Sequence, residues 1–334
     1  MSSAEEGPGE QRRNHEHRGG DDEHVTLVLH ARSERVVAHG GTVLAQDGTE
    51  AWPDGRDAGV ESTIEMSYET LLVDRDDHGV VTVTMNRPEK KNAMSLEMNM
   101  ELTQVFDEVA DSRTDRVLVL TGAGDAFTSG ADLTPSKDSK DADAFVAGGV
   151  GAALHGMRRL GRLVVRLHDL PKPTIAAVNG VAVGAGCNLA LGCDLIIASD
   201  QARFSEIFAR RGLSLDGGGS WLLPRLIGLH KAKELAFLAE ILSAEDAERF
   251  GIVNRVVPAG ELEKVVTDLA RRIAAQPPIQ ISISKKMLNQ SMSVSMAEAV
   301  EFEDVAQSLA FGSQDTKEAM RAFVEKRDPK FIGE

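Results

Sequence analysis

Three apolar, β-branched segments, separated by small-residue turns and helical patterns, constrain the fold of this chain more than any other feature. They span residues 117–121, 174–179 and 194–198. Such continuous apolar runs predict strands that are buried on both faces, as the strands of parallel sheets are. Helical patterns lie between them, and strands that alternate with helices predict parallel βα units. The sequence therefore predicts an α/β fold.

Residues 1–65 differ in composition from the rest of the chain, being rich in Gly, His, Asp, Glu and Arg. With few apolar residues to bury, this segment is predicted to be a disordered or non-native N-terminal extension. The apolar pattern begins at Met66, where residues 68–73 and 80–85 form a strand–turn–strand signature. We expect the α/β core over residues 66–257, and a native start at Met66 is a further hypothesis.

Helical patterns dominate the chain after Pro224 and fill residues 258–334. Ser295, followed three residues later by Glu298, matches the capping box that begins many helices. The sequence thus predicts a helical C-terminal layer that packs against the α/β core.

Charge and composition argue against several classes of function. The formal net charge of -15 at pH 7 argues against binding to nucleic acid or to an anionic membrane surface. The two cysteines, Cys187 and Cys193, lie in an apolar segment, which argues against a disulfide framework and a thiolate metal site. No stretch of about eighteen apolar residues and no basic leader occurs, so we expect a cytoplasmic protein without a membrane partner.

Glycine-bearing turns occur at residues 122–124, 180–186 and 217–219. None of them completes a dinucleotide-binding fingerprint, because Phe127 and Leu189 occupy the third glycine positions of the first two. The P-loop, the nucleophile elbow and the His-Glu-x-x-His motif are absent as well. These absences argue against the common dinucleotide, nucleoside triphosphate and zinc-protease chemistries.

The turns at residues 127–133 and 184–186 each follow a predicted strand and can present free backbone N–H groups. Small residues that open a helix leave the N–H groups of its first turn without partners, and these groups point toward an anion. Two such turns that converge can supply two donors to one oxygen. Close packing of a strand against a helix explains the same small residues, so the pattern by itself leaves both interpretations open.

Three motifs resemble, in order and spacing, those of the crotonase family, the enoyl-CoA hydratases and isomerases. They read NRPEKKNAMS at residues 86–95, FTSGADL at 127–133 and AVNGVAVGAG at 177–186. The resemblance extends from Met66 to Phe331. It implies a crotonase (ClpP-like) fold of repeated ββα units, with residues 258–334 as a helical trimerisation region. It also implies assembly as a homotrimer or homohexamer.

The resemblance implies an acyl-CoA thioester substrate, held with its carbonyl oxygen in an oxyanion hole. The donors of that hole are implied to be the backbone amides of Ala131 and Ala185. Coenzyme A enters as part of the substrate, so no separate cofactor and no metal are implied. The positions implied to contact the substrate or its CoA portion are Lys91, Ala93, Ser129, Asp132, Leu133, Gly184 and Phe208.

The acidic residues depart from the pattern of the family's hydratases, which use two glutamates to hold and split a water. Those two positions here are Asn188 and Phe208, neither of which can usefully transfer a proton. Asp216 lies where isomerase and dehalogenase relatives place a single carboxylate. Together with GCNLA at residues 186–190, LDGG at residues 215–218 is similar to the ring-epoxide isomerases of phenylacetyl-CoA breakdown.

A single carboxylate suffices to move a double bond, because the same group removes a proton from one carbon and returns it to another. Hydration, in contrast, needs both a base for the water and an acid for the α-carbon. We therefore expect an acyl-CoA isomerase of the enoyl-CoA hydratase/isomerase family, with Asp216 as the catalytic base. The apolar neighbours of Asp216 are expected to raise its pKa.

Three alternatives remain open. In the first, Asp216 turns its loop or caps the following helix, as Asp often does. In the second, the protein is an enoyl-CoA hydratase with an atypical acid/base set, and in the third it is a non-catalytic acyl-CoA-binding protein. We further expect Glu206 to be solvated or salt-bridged and His155 and His168 to lie on the exposed face of a helix. The loop at residues 135–150 is expected to form much of the pocket wall.

Overall fold

The computed structural model describes residues 67–133 and 149–334, together with three strands nearer the N-terminus. The chain divides into two compact units, Met1–Glu65 and Met66–Glu334. The strands of the first unit pair antiparallel in chain order, as β1 (Val28–His30), β2 (Arg35–His39) and β3 (Thr42–Val43). The disordered or non-native extension over residues 1–65 stays a prediction, since most of that segment lies outside the described residues. The loop at residues 135–150, expected to form much of the pocket wall, lies outside them as well up to residue 148.

Two sheets form the framework of the second unit. Their strands are β4 (Leu71–Arg75), β5 (Val80–Met85), β6 (Val117–Gly122), β7 (Ala126–Thr128), β8 (Thr174–Val178), β9 (Val181–Val183), β10 (Leu195–Ser199), β11 (Arg203–Ser205), β12 (Leu242–Ser243) and β13 (Arg255–Val257). The six-stranded sheet has the order β13-β10-β8-β6-β5-β4, and the four-stranded sheet has the order β12-β11-β9-β7. Neighbours pair parallel except β4 with β5 and β11 with β12. The predicted parallel α/β framework is confirmed.

Helices alternate with these strands and then dominate the C-terminal part of the chain. Their bounds are α1 (Leu96–Asp111), α2 (Gly149–His168), α3 (Ala185–Leu191), α4 (Gly219–Ile227), α5 (Leu229–Leu238), α6 (Ala244–Phe250), α7 (Leu262–Ala274), α8 (Pro278–Gln290), α9 (Met296–Gly312) and α10 (Gln314–Glu325). The predicted capping box begins α9: the Glu298 amide donates to Ser295 Oγ, and the Ser295 amide donates to the Glu298 carboxylate at 2.8 Å.

Strand β6 explains how two apolar clusters hold the larger sheet. Leu118 and Leu120 belong to a cluster shared with α1, α2 and α3, whereas Val117 and Val119 belong to a cluster shared with α7. Successive residues of a strand face opposite sides of a sheet, so the two clusters lie on opposite faces. Each fully buried Leu or Val contributes about 1.5–3 kcal/mol. Burial of both faces therefore explains why this segment reads as a continuous apolar run.

The C-terminal helices bury few of their apolar side chains. In α9 the buried residue is Ala306, whereas Phe302, Leu309 and Phe311 are exposed, and Phe323 of α10 is exposed as well. The predicted helical layer is thus present, and it leaves an apolar surface on α9 and α10. Within the described part of the chain, no helix is both long enough and apolar enough to cross a membrane.

Candidate active site

Two glycine turns touch each other at the carboxyl ends of β7 and β9, which are parallel neighbours in the smaller sheet. Gly130 has a φ of +92°, and a Cβ added to it would lie 2.6 Å from the Val183 carbonyl oxygen. A Cβ added to Gly186 would lie 2.7 Å from the Thr128 carbonyl oxygen. Both distances are too short for a side chain, so each position requires glycine. The close contact brings the two predicted turns together.

The amides of Ala131 and Ala185 are the free donors of these turns. The backbone on either side of Ala131 is already bonded: the Met94 amide donates to Gly130 O at 2.8 Å, and the Asp132 amide donates to Met94 O at 3.1 Å. Ala185 is the first residue of α3, so its N–H has no partner within the helix. Among the described residues, neither amide forms a hydrogen bond. Two unpaired donors of this kind can stabilise an oxygen anion.

The side chain of Asn92 fixes the loop before α1 to the turn between β6 and β7. It is fully buried (0% exposed), and its Nδ2 donates to the carbonyl oxygens of Ala123 at 2.9 Å and Ala126 at 2.8 Å. Its Oδ1 accepts from the Arg87 amide at 2.9 Å. Asn92 has a φ of +54°, in the left-handed region that asparagine adopts more readily than most residues. These bonds position the segment that leads into the first glycine turn.

We expect Asn92→Ala to lower the free energy of unfolding by about 3 kcal/mol, because two buried carbonyls and one amide lose their partner. Thermal denaturation followed by circular dichroism measures this loss. Lys90→Ala, at an exposed neighbour in the same turn, is the matched control and should change the stability by less than about 0.5 kcal/mol. Equal losses in the two variants would contradict the positioning role of Asn92.

Two of the residues predicted to contact CoA are ion-paired beside this loop. Lys91 is exposed and its ammonium pairs with Asp125. Asp132 pairs with Arg87, whose Nη1 lies 2.9 Å from Asp132 Oδ2. An incoming phosphate would therefore compete with Asp125 for the Lys91 ammonium, while the second pair ties the loop to the residue after Ala131.

The other predicted contact positions differ in exposure. Gly184 has a φ of +56° and lies beside the ring of Phe208, since a Cβ added to it would lie 3.7 Å from Phe208 Cζ. Phe208 is buried, so an apolar ring fills the second of the two hydratase acid positions. Ala93 is buried, whereas Ser129 and Leu133 are exposed. The structure thus brings Phe208 next to the turn that leads into α3.

Asn188 links the start of α3 to the two acidic residues of the site. It is 0% exposed, and its Nδ2 donates to Glu206 Oε2 at 3.4 Å and to the backbone oxygen of Asp216 at 3.0 Å. Gly219 packs directly on this side chain, because a Cβ there would lie 2.5 Å from Asn188 Oδ1. The glycines after Asp216 therefore let its loop lie against α3. Asn188 replaces one hydratase glutamate with a group that only donates or accepts hydrogen bonds.

Asp216 does not cap α4. The N-cap position of that helix is Gly218, which makes no side-chain bond, and Asp216 Oδ1 has no hydrogen-bond partner among the described residues. The helix-capping alternative is therefore wrong, although the Asp216 backbone oxygen accepts from the Gly219 amide at 2.9 Å. Burial raises the pKa of Asp216 to about 6, against a smaller lowering by the Asn188 side chain. A carboxylate of this kind accepts protons near neutral pH.

Glu206 is a buried member of the site, contrary to the prediction that it is solvated or salt-bridged. It follows β11 directly, is 3% exposed, and forms no ion pair with a Lys, Arg or His of the described chain. Burial and then the charge of Asp216 raise its pKa to about 7, against the hydrogen bonds from Cys187 and Asn188. Glu206 lies two residues after the apolar Phe204, and alternate residues of a strand share a face. This spacing was the signal in the sequence that could have predicted the burial of Glu206.

His168 also differs from its prediction. It is half-buried at the end of α2, and its ring meets Trp221 edge-on with centroids 5.3 Å apart. Burial lowers its pKa. His155 is exposed, as expected. No group of three or more His, Cys, Asp or Glu side chains placed to hold a metal occurs among the residues that the structure describes.

The arrangement of the sheets and the touching glycine turns is that of the crotonase fold, and a solved structure agrees. The enoyl-CoA hydratase of Bacillus anthracis matches this chain with a TM-score of 0.75 at 31% sequence identity. The match covers 80% of this chain and 100% of that chain. The predicted crotonase fold is thereby confirmed.

Sequence comparisons define the family. The Enoyl-CoA hydratase/isomerase profile matches residues 75–334. The 1,2-epoxyphenylacetyl-CoA isomerase of Escherichia coli K12 is 40% identical over 263 residues, which are 79% of this chain and 98% of that protein. The short-chain-enoyl-CoA hydratase of Clostridium acetobutylicum is 36% identical over 249 residues, 74% of this chain and 92% of that protein. This chain belongs to the enoyl-CoA hydratase/isomerase family, and it is an enzyme by that membership.

Proposed function

We propose that this protein is an acyl-CoA isomerase that moves a proton through a thioester enolate, with Asp216 as the catalytic base. The observation that carries the proposal is the state of Asp216, which is half-buried and has a carboxylate oxygen without a partner among the described residues. Asn188 and Phe208 fill the positions of the two hydratase glutamates and cannot take the place of an acid. One carboxylate that is free to accept a proton fits a proton shift within the substrate.

In this proposal the amides of Ala131 and Ala185 form the oxyanion hole. The thioester carbonyl oxygen accepts a hydrogen bond from each, which acidifies a carbon–hydrogen bond conjugated with the thioester. The Asp216 carboxylate removes that proton, and the electron pair of the broken bond moves into an enolate whose oxygen lies between the amides. Asp216 then returns the proton to a different carbon, so the double bond moves and the carboxylate is regenerated.

The contact positions and the assembly complete the proposal. Acyl-CoA is the partner, no separate cofactor is involved because CoA is part of the substrate, and the contacts are those predicted for Lys91, Ala93, Ser129, Asp132, Leu133, Gly184 and Phe208. The exposed apolar surface of α9 and α10 supports assembly of copies as a homotrimer or homohexamer, since soluble monomers rarely expose large apolar patches. Light scattering tests this point, and a monomeric mass at micromolar concentration contradicts it.

A second candidate function is hydration of an enoyl-CoA with an atypical acid/base set. Similarity to 1,2-epoxyphenylacetyl-CoA isomerase supports isomerisation, and similarity to short-chain-enoyl-CoA hydratase supports hydration. One observation favours the second candidate, namely that Glu206 supplies another buried carboxyl in contact with Asn188. A non-catalytic acyl-CoA-binding protein is the remaining outcome of the test below.

Separate incubations with 3-enoyl-CoA and 2-enoyl-CoA distinguish these functions. Double-bond position and water addition are followed by NMR and by mass spectrometry of the products. We expect the double bond to move without incorporation of water. Rapid hydration that persists in Asp216→Ala would sink the isomerase proposal, and binding without turnover of any acyl-CoA would identify a binding protein.

We expect isomerisation to accelerate as the pH rises through the pKa of Asp216. Burial raises that pKa to about 6, and the base accepts a proton only when it is ionised. The value of kcat/KM should therefore be low at about pH 5 and rise toward neutral pH. A profile that is flat from about pH 5 to about pH 8 contradicts a catalytic base with this pKa.

A further inference from the structure

One side-chain amide joins the two carboxyl-bearing residues of the site. Asn188 Nδ2 lies 3.4 Å from Glu206 Oε2 and 3.0 Å from the backbone oxygen of Asp216. Packing holds this amide in place, since Gly217 and Gly219 lie directly against the Asn188 side chain. The two hydrogens of this amide therefore bridge the side chain of Glu206 and the backbone of Asp216.

Several polar atoms of this cluster have no hydrogen-bond partner. Among the described residues, these atoms are Asn188 Oδ1, Ser205 Oγ, Glu206 Oε1 and Asp216 Oδ1. Buried polar atoms are nearly always bonded, and each unsatisfied group costs about 1–3 kcal/mol. The cluster beside the proposed base therefore has several donor and acceptor positions that can take further hydrogen-bond partners.

The surroundings of the two carboxyls decide which of them carries charge. Glu206 is 3% exposed and faces a small cavity lined by the apolar side chains of Leu223, Leu235 and Ile252. Asp216 is only half-buried. An ionised carboxylate is favoured where water reaches it, so the first negative charge forms on Asp216. A second charge, on Glu206, is then opposed both by burial and by the first charge.

Within the described chain, no Lys, Arg or His forms an ion pair with Glu206 or Asp216. The titratable groups near Glu206 are the Cys187 thiol of α3, the Asp216 carboxyl and the exposed Glu240, which lines the same cavity. Burial and the neighbouring Glu206 raise the pKa of Cys187, so the thiol stays neutral. The charged groups that affect the pKa of His168 in α2 are Asp169, Lys285 and Asp194, and neither Glu206 nor Asp216 is among them.

We propose that Glu206 is a positioning residue that keeps the single negative charge of this pair on Asp216, acting through the Asn188 amide. Between about pH 6 and about pH 7, Glu206 keeps most of its proton while the charge is available on the base. Loss of that proton at higher pH draws the Asn188 amide toward Glu206, and the second charge makes Asp216 a stronger base. The pKa values of about 7 for Glu206 and about 6 for Asp216 agree with this order. The role rests on the proposed function of Asp216.

Melting temperature as a function of pH tests the pair without any turnover. The pKa of Glu206 is about 7 in the folded state against an ordinary value of 4.5, so stability falls as the pH rises between these values. Asp216, whose pKa is raised to about 6, makes stability fall in the same direction up to about pH 6, so we expect Glu206→Gln to lose the part of the fall above about pH 6. In Asp216→Asn the neighbouring charge is absent, so the fall should end about one pH unit lower than in the wild type. Glu240→Gln, at the exposed acid on the same cavity, is the matched control and should keep the wild-type curve.

An Asp216→Asn curve that ends at the same pH as the wild-type curve would overturn the coupling. This comparison needs no Glu206 variant to fold. A Glu206→Gln curve that runs parallel to the wild-type curve would overturn it as well, because Glu206 would then not titrate in this range.

The pH profile of kcat/KM separates a positioning role from a purely structural one. We expect two steps in the wild type and one step in Glu206→Gln, which reaches its plateau about one pH unit lower with kcat within about threefold. Glu206→Asp keeps an acid and should restore the second step. Identical pH profiles of kcat/KM in the wild type and Glu206→Gln would overturn the proposal. A loss of kcat/KM of more than about 100-fold in Glu206→Gln at every pH would overturn it as well, since Glu206 would then transfer a proton itself. If no acyl-CoA is isomerised, the proposed function fails while the melting curves still decide the coupling.

Discussion

Asp216→Asn is expected to reduce kcat for acyl-CoA isomerisation by about 1,000-fold or more and to leave the dissociation constant of the acyl-CoA within about threefold. Asn cannot accept the substrate proton, yet it matches Asp in size and keeps the backbone oxygen that accepts from Asn188 at 3.0 Å. Glu206 is not expected to take over, because its carboxyl faces the cavity lined by Leu223, Leu235 and Ile252. Single-turnover kinetics and calorimetric binding measure the two quantities.

Ser214→Ala provides the control for that experiment. Ser214 lies on the same loop as Asp216 and is exposed, so its loss changes neither the acid nor the contact with α3. We expect wild-type rates from this variant. An Asp216→Asn enzyme that keeps more than about a tenth of the wild-type rate contradicts the assignment and makes Glu206 the next residue to test.

Ala185→Pro is expected to lower kcat/KM by about 100- to 1,000-fold, because it deletes one of the two proposed donors to the enolate oxygen. Proline has no N–H, and the first position of a helix tolerates it because that N–H has no partner in the helix. Ala185 is the first residue of α3, so the change removes the proposed function of the amide with little effect on the helix. Steady-state kinetics, with circular dichroism to verify folding, measure the effect.

Ala185→Gly is the matched control for the proline variant. It removes the same side chain and keeps the N–H, at a cost in helix stability of about 1 kcal/mol or less. We expect its kcat/KM to stay within about threefold of the wild type. Equal activities in a folded proline variant and the glycine variant would show that the Ala185 amide does not bind the reacting oxygen.

The framework of the fold was predictable because its signals are local. The buried run of β6 and the cap at Ser295 each depend on a few neighbouring residues, and both appear where they were predicted. The order of strands in the two sheets was not predictable from such patterns. Three-residue strands such as β7, β9 and β11 are too short to show a period, and they form only because they pair with one another.

The candidate site was predictable from the sequence only in part, and its acidic residues show which part was not. The family motifs pointed to Ala131, Ala185 and Asp216, but the contact between the two turns depends on Gly130 meeting Val183, far away in the sequence. Glu206 was wrongly expected at the surface, since glutamate is almost never fully buried. Its burial results from side chains of α3, α4 and α5 that no local pattern connects to it.

One part of the site consists of backbone groups and the other of side chains, and this separation bears on how such an enzyme can change its reaction. The amide pair is backbone, fixed by glycines at positions 130 and 186 that admit no side chain. The other part is the proposed base, Asp216, together with the side chains at positions 188, 206 and 208. If the proposed roles hold, single substitutions in that set can redirect the protons, in evolution or by design, while the backbone amides proposed to bind the anion stay intact. Attempts to retarget this enzyme should vary those four positions and leave the glycine turns unchanged.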